Sequence, residues 1–305
     1  MTISVIMLTY NREVLVPRAI ESILSQTFTD FEFVIINNGS CDKSGLIAED
    51  YATKDNRVRV IHKPHGNIGS GRNVGLDAAK GKFIAFIDDD DWCEPDFLHF
   101  LYDLLINDNA DLAICGNSHQ PRNEKHIMNA EDALIRLMWR SHYTAGFPTK
   151  LFRRELIEDL RFNENGTFDD ISLMYRLLAR ANIIAYHGLP KYHIYRHDGN
   201  NSAWNSDHRL MTPEILDEYL NVYNERTAWL CENFPDSTSY WRYFRLSFML
   251  SMVEKISLLG IKKCESQKSA MAQEMRENMD AFIDCGFALD FEHARMEKYI
   301  KNGVI

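Results

Sequence analysis

The chain opens on an apolar run at residues 3–8, interrupted only by Ser4, another fills 83–87, and further apolar-rich strands are expected at 31–36, 58–61 and 111–116. Short continuous runs rich in β-branched residues mark strands covered on both faces. Between them the apolar positions switch to helical spacing. Leu15, Ala19, Ile20, Ile23 and Leu24 share one helical face, with Asn11 the expected N-cap. Pro17 falls in the first turns, where its missing N–H is tolerated. Further helices are expected over 44–53, 72–79 and 95–106. Strand and helix thus alternate through the first 117 residues, which predicts a doubly wound α/β sheet.

The middle of the chain is less regular, with helices expected over 130–139, 153–160 and 171–181 and strands over 183–187 and 192–195. From 207 onward the spacing is helical throughout, over 213–233, 239–259, 266–285 and 292–301. The change of class near 203–207 divides the chain into a domain over 1–205 and a helical C-terminal extension over 206–305. With 45% hydrophobic and 26% charged residues, the chain can bury a sizeable core. No apolar run approaches bilayer length, and Met1 enters the first strand without a charged leader or cleavage site. Six cysteines are scattered singly without a Cys-x-x-Cys pair, which points to reduced thiols in the cytoplasm. A net charge of -10 argues against nucleic acid as a partner. It leaves room for an anionic ligand, because a bound cation reverses the local field.

Polar groups gather where strands end. Asn11 follows the first run, Asn37-Asn38-Gly39-Ser40 the second, and Asp88-Asp89-Asp90-Asp91 the fourth. In such sheets ligands sit beyond the carboxyl ends of the strands. Adjacent carboxylates repel one another, and burial raises their pKa values unless a cation neutralises them. They can converge on a hard cation that bridges to phosphate oxygens, although a solvated acidic turn would carry the same sequence. Asp169-Asp170 stands before a helix, where an acidic pair also serves as a cap. Gly66-Asn67-Ile68-Gly69-Ser70-Gly71 reads as a glycine-rich loop, without the spacing of a dinucleotide fingerprint or a phosphate loop.

Four segments, SVIMLTYNRE, SQTFTDFEFVIINNGSCD, GSGRNVGLDAAKGKFIAFIDDDDW and TFDDISLMYRLL, occur in this order and resemble family 2 glycosyltransferases across residues 2–200. The resemblance implies the GT-A fold, a Rossmann-like three-layer α/β sandwich that handles nucleotide-diphospho-sugars. It implies an inverting transfer of a hexose from a UDP-sugar to a hydroxyl of a glycan or lipid-linked acceptor. Such enzymes serve bacterial cell-surface polysaccharide synthesis, at the cytoplasmic face of the membrane. Asp88-Asp89-Asp90 matches the family's Asp-x-Asp motif, with Asp90 expected on Mn²⁺ or Mg²⁺, Asp88 and Asp89 towards the ribose, and Asp91 behind them. Asp170 matches the family's general base, with Asp169 in place of the usual glutamate. Thr9, Tyr10, Asn11 and Arg12 would wall the nucleotide base. Asn37-Asn38 replaces the family's carboxylates there, so Asn38 would accept the uracil N3–H, with thymine or guanine left open. Arg72 would reach the nucleotide or pair with an acid.

Tyr195-Arg196-His197 resembles the segment that closes the family's core, placing His197 on the diphosphate or the metal and 198–202 in a lid. The other ten histidines show no paired ligand spacing. The departures at Asn37-Asn38 and Asp169 motivate a second reading, a non-catalytic nucleotide-sugar or glycan-binding protein on the same scaffold. A nucleotidyltransferase would carry a basic, glycine-rich loop after the first strand, and Leu8-Thr9-Tyr10-Asn11 is not one. In the tail, Tyr240-Trp241-Arg242-Tyr243-Phe244-Arg245 is expected to pack on the catalytic domain or a second subunit. Peripheral membrane contact is the other reading of that stretch.

Overall fold

Four parallel strands, β1 (Ile3–Thr9), β2 (Phe31–Asn37), β3 (Val58–His62) and β4 (Phe83–Asp88), stand in the order β3-β2-β1-β4. The sheet continues from β4 through β8 (Lys150–Arg153), antiparallel to both β4 and β6 (Leu112–Asn117). Beyond β6 lies β9 (Ile184–His193), parallel to it and flanked antiparallel by β5 (Trp92–Cys93) and β7 (Lys125–Met128). This computed structural model describes residues 1–119, 121–197 and 207–301, in two compact units, Met1–Tyr195 and Arg196–Ile305.

One face of the sheet carries α1 (Val16–Leu24), α2 (Ser44–Lys54) and α4 (Phe97–Asn107). Val5, Met7, Phe33 and Ile35 from the strands meet Ile20, Ala48 and Leu101 from these helices in one buried core. The opposite face carries α3 (Ile68–Ala78), which completes the third layer. The glycine-rich stretch is therefore not a loop but the first turns of α3, capped by the Asn67 side chain on Ser70 N–H at 2.8 Å. Its glycines are there for distance. A Cβ on Gly71 would lie 2.1 Å from Leu8 Cδ1, and one on Gly75 2.4 Å from Ile6 Cγ2. Only glycine lets the helix backbone approach β1 this closely.

Several local expectations change. Asn11 is not an N-cap: α1 starts at Val16, after a turn closed by Leu15 and Val16 N–H on the Arg12 carbonyl. Asn11 instead adopts a left-handed φ of 52° and holds Cys41 N–H on its side chain at 2.8 Å. The helix expected over 153–160 is the end of β8 followed by a single 3₁₀ turn, Arg154–Leu156. β8 is four residues long, too short for alternation to be read. The two strands expected over 183–187 and 192–195 are one, β9, whose register slips past Cys115 to absorb Gly188-Leu189-Pro190.

The second unit is helical: Pro213–Asn233, Thr238–Leu259, Glu265–Glu277, Met279–Ile283 and Asp290–Arg295, the last running into a π-helical turn. The 266–285 segment breaks at Asn278 rather than running as one helix. Trp241, Tyr243 and Phe244 are buried within this unit, and the Tyr240 ring stacks on Phe287 at 3.8 Å. The buried rings of the stretch thus pack on groups of their own unit, while Arg242 stays exposed. No helix among the described residues is long and apolar enough to cross a membrane, and all six cysteines are free thiols.

Candidate active site

Asp88 closes β4, and the chain then turns so that Asp91 N–H returns to the Asp88 carbonyl at 3.3 Å. The turn separates the four acids. Asp91 points inward, accepting the Tyr192 hydroxyl at 2.7 Å and Tyr195 N–H at 2.8 Å. The same Tyr192 hydroxyl accepts Asp88 N–H at 3.1 Å, fixing the start of the turn as well. Asp89 faces the end of β1, accepting Tyr10 N–H at 3.1 Å with Arg12 Nε at 3.8 Å. Asp90 is buried, and its carbonyl takes the Arg18 guanidinium, which lies over the Trp92 and Tyr195 rings.

Across from this turn, α6 (Asp169–Arg180) begins with the second acidic pair. The pair forms the first turn of the helix rather than its cap, so the positive end of the helix dipole lies beneath both carboxylates. Asp170 accepts Ile171 N–H at 2.8 Å. Arg72, from α3, joins the two clusters: Nη1 donates to Asp169 at 2.6 Å and Nη2 to Asp88 at 3.4 Å. Of its two expected roles, Arg72 shows pairing with acids. Arg72 and Asp169 are both buried, so their pair is desolvated. Removing one partner from such a pair costs about 3–5 kcal/mol. Arg72→Met should lower unfolding stability by about 3 kcal/mol in denaturant titration. A loss under 1 kcal/mol would mean that Asp169 finds another partner.

Burial and mutual repulsion raise several of these carboxyls. Asp88 keeps 47% of its side-chain surface open. Surrounding protein and the charges of Asp90, Asp169 and Asp170 nonetheless raise its pKa to about 6, against the pull of Arg72. Burial raises Asp89 to about 7, and burial with the charge of Asp88 raises Asp91 to about 8. Asp170 is raised too, by burial and then by Asp169, while Arg72 and Lys150 act against the rise. The folded chain therefore holds protons that an unfolded chain, with carboxyls near 3.8, has already released. That stabilising difference is complete below the unfolded value and is lost as pH rises through the folded ones. In EDTA, the melting temperature should fall by several degrees between pH 5 and 8.5, and Mn²⁺ should recover most of the loss at the upper end. A flat profile would show that these carboxyls ionise at ordinary pH.

The end of β2 is more closed than the sequence suggests. Asn38 is 2% exposed, and both the oxygen and the nitrogen of its amide are engaged. Oδ1 accepts Lys63 Nζ at 2.8 Å and Gly66 N–H at 3.2 Å, while Nδ2 donates to the Gly66 carbonyl at 2.7 Å. Asn37 is bound to His62 and Ser40. Both amides hold the wall together from inside. Thr9 is buried at the end of β1, Asn11 and Arg12 tie that end to Ser40 and Ser44, and the Tyr10 ring stacks on His65 at 4.1 Å. His65, not singled out from sequence, thus joins the group.

Lys150 was also not singled out. It is fully buried on β8, donates to the Thr144 and Gly146 carbonyls, and is pushed down to about 8 by burial. The charge of Asp170 acts on it in the opposite direction. A strand-borne lysine after Pro-Thr carried no pattern that could mark it. His197 lies in the second unit, and the expected lid over 198–202 lies outside the described residues.

A mixed sheet with two carboxylate clusters joined by one arginine at the strand ends defines a glycosyltransferase of the GT-A fold. The chain belongs to glycosyl transferase family 2, whose model matches residues 4–174. EpsH of Bacillus subtilis (strain 168) is 32% identical over 246 residues, covering 76% of this chain and 70% of that protein. The GalNAc(5)-diNAcBac-PP-undecaprenol beta-1,3-glucosyltransferase of Campylobacter jejuni is 25% identical over 214 residues, covering 64% of this chain and 66% of that one. The crystal structure of S. aureus TarS 1-349 in complex with UDP shares the fold, with a TM-score of 0.73 at 20% identity. That likeness covers 99% of this chain and 89% of the other.

Proposed function

We propose that this glycosyltransferase is inverting and metal-dependent, moving a hexose from a UDP-sugar to a hydroxyl of a glycan or lipid-linked acceptor. Its setting would be bacterial cell-surface polysaccharide synthesis, with the chain in the cytoplasm or at the inner face of the membrane. The observation that carries the reading is Arg72, which holds the Asp88–Asp91 turn and the Asp169-Asp170 pair against one another. The UDP complex of TarS and the lipid-linked saccharide in the name of the Campylobacter relative support the donor and acceptor classes.

Four crowded carboxyls, two of them raised to about 7 and about 8, fit a hard divalent cation. Asp90 would hold Mn²⁺ or Mg²⁺. The cation, when bound, stabilises the negative charge that develops on the departing diphosphate. Asp88 and Asp89 would accept the ribose hydroxyls, and Thr9 to Arg12 with the loop held by Asn38 would enclose the uracil. Asp170 would take the proton of the acceptor hydroxyl as that oxygen bonds to the anomeric carbon. The bond from that carbon to the diphosphate breaks on the far side, and its electron pair leaves with UDP. Burial and the charge of Asp169 raise this carboxyl, and the nearby Arg72 and Lys150 oppose that rise.

The test is a thermal-shift and hydrolysis screen of UDP-, GDP- and dTDP-sugars with and without Mn²⁺. Stabilisation and slow hydrolysis confined to UDP-sugars with Mn²⁺ are expected. No response to any donor would remove the donor and metal assignments together.

A further inference from the structure

Two histidines far apart in sequence meet on the edge of the sheet, away from the acid clusters. Gly188 N–H bonds to the Glu124 carbonyl at 3.0 Å, so Glu124 extends β7 by one residue. Glu124 and His126 are two apart on an extended segment and share one face of it. His142 comes to the same face from the loop after α5 (Ala130–Trp139), anchored where the Tyr143 hydroxyl bonds to the Ala133 carbonyl at 2.7 Å. One ligand atom from each residue lies within 4.8 Å of the other two. The Glu124 carboxylate reaches both rings: Oε2 is 3.5 Å from His126 Nε2 and Oε1 3.6 Å from His142 Nε2.

Those separations carry the point. Ligands at 2.0–2.1 Å from a tetrahedral zinc-type ion stand about 3.3 Å apart, so each histidine is within a few tenths of an ångström of that spacing from one Glu124 oxygen, and the three ligand atoms need only draw in from within 4.8 Å to close the set. They are too far apart for direct hydrogen bonds. His126 Nε2 is buried and makes no hydrogen bond, while its ring stacks on Tyr186 at 5.9 Å. His142 is oriented from its other nitrogen, with Ser141 Oγ 2.6 Å from Nδ1. A partner of that kind on a metal-bound histidine fixes its tautomer.

We propose that Glu124, His126 and His142 form a site for one borderline dication of the zinc class, separate from the carboxylate site at the end of β4. Two cations border it. Arg122 donates to Glu124 at 3.1 Å from a largely open position, and Arg136 Nη1 lies 3.1 Å from His142 Nε2. The incoming ion must displace Arg136 from that nitrogen, so the two compete. Occupancy would tie the edge strand β7 to the loop after α5.

The test uses the full chain carrying Asp90→Ala, stripped with EDTA and titrated with Zn²⁺ by calorimetry and with Co²⁺ by absorption. One equivalent is expected, with d–d bands of a nitrogen–oxygen site and no thiolate charge-transfer band. His126→Gln and His142→Gln should each weaken it by about a hundredfold or more, beyond what loss of an outer partner costs. Arg136→Gln should tighten it by roughly tenfold, by removing the competing charged hydrogen bond. Should either histidine variant fail to fold by circular dichroism, Glu124→Gln, on a half-open side chain, serves in its place. Unchanged affinity in these variants, a thiolate band from the exposed Cys41, or no bound equivalent would overturn the proposal.

Discussion

Asp170→Asn is expected to leave UDP-sugar binding unchanged and to lower kcat by about 10³-fold, within the range that general bases contribute. In the proposed mechanism the substitution removes the proton acceptor and little else. An asparagine Oδ1 can still accept Ile171 N–H, as the aspartate does at 2.8 Å, so the first turn of α6 is retained. The Arg72 ion pair runs to Asp169 and stays intact. Donor titration should therefore give the wild-type dissociation constant while single-turnover transfer is lost. Asp169→Asn offers the contrast, because it weakens the Arg72 pair and should show as lost stability first. Turnover near wild type in Asp170→Asn would assign the proton transfer to another group.

Asp90→Ala should weaken UDP binding in Mn²⁺ by about 10²-fold, in line with losing one preorganised electrostatic contact. Binding measured in EDTA should not move. The difference between the two conditions is the informative quantity, since a collapsed site would lose both. Collapse is not expected. Asp90 is tied into the fold by its carbonyl, which holds Arg18 between the Trp92 and Tyr195 rings, and alanine keeps that carbonyl. Calorimetry of UDP with Mn²⁺ and with EDTA decides the matter. Equal affinities for variant and wild type in Mn²⁺ would move the cation to other carboxylates of the run.

The parallel half of the sheet was legible because β1, β2 and β4 are buried on both faces, and continuous apolar runs have few other meanings. The order of the matching segments then led to the acid turn, and with it the positions from which Asp88 and Asp91 part. The antiparallel half was not legible. β8 is a strand only because β4 and β6 hold it from both sides, and nothing local in Lys150–Arg153 signals that. Asn11 misled because Asn suits both a cap and a left-handed turn, and the choice was made by Cys41 N–H, thirty residues on. Arg72 could be placed near the site but not assigned a partner, since its carboxylates come from residues 88 and 169. His126 and His142 show the same limit. Their meeting depends on where α5 delivers the chain.

Tyr192 has a further consequence, for the chain while it is being made. Its hydroxyl donates to Asp91 across 101 residues of sequence and accepts Asp88 N–H across 104. At about 5–20 residues per second, Asp91 waits roughly 5–20 seconds for this partner to be synthesised. Until β8 is made, Phe83–Asp88 has one edge unpaired, since β1 precedes it and β8 follows. The aspartates at its end would act there as charged gatekeepers. The run proposed to serve the donor would first serve as a solubilising end for the strand that carries it.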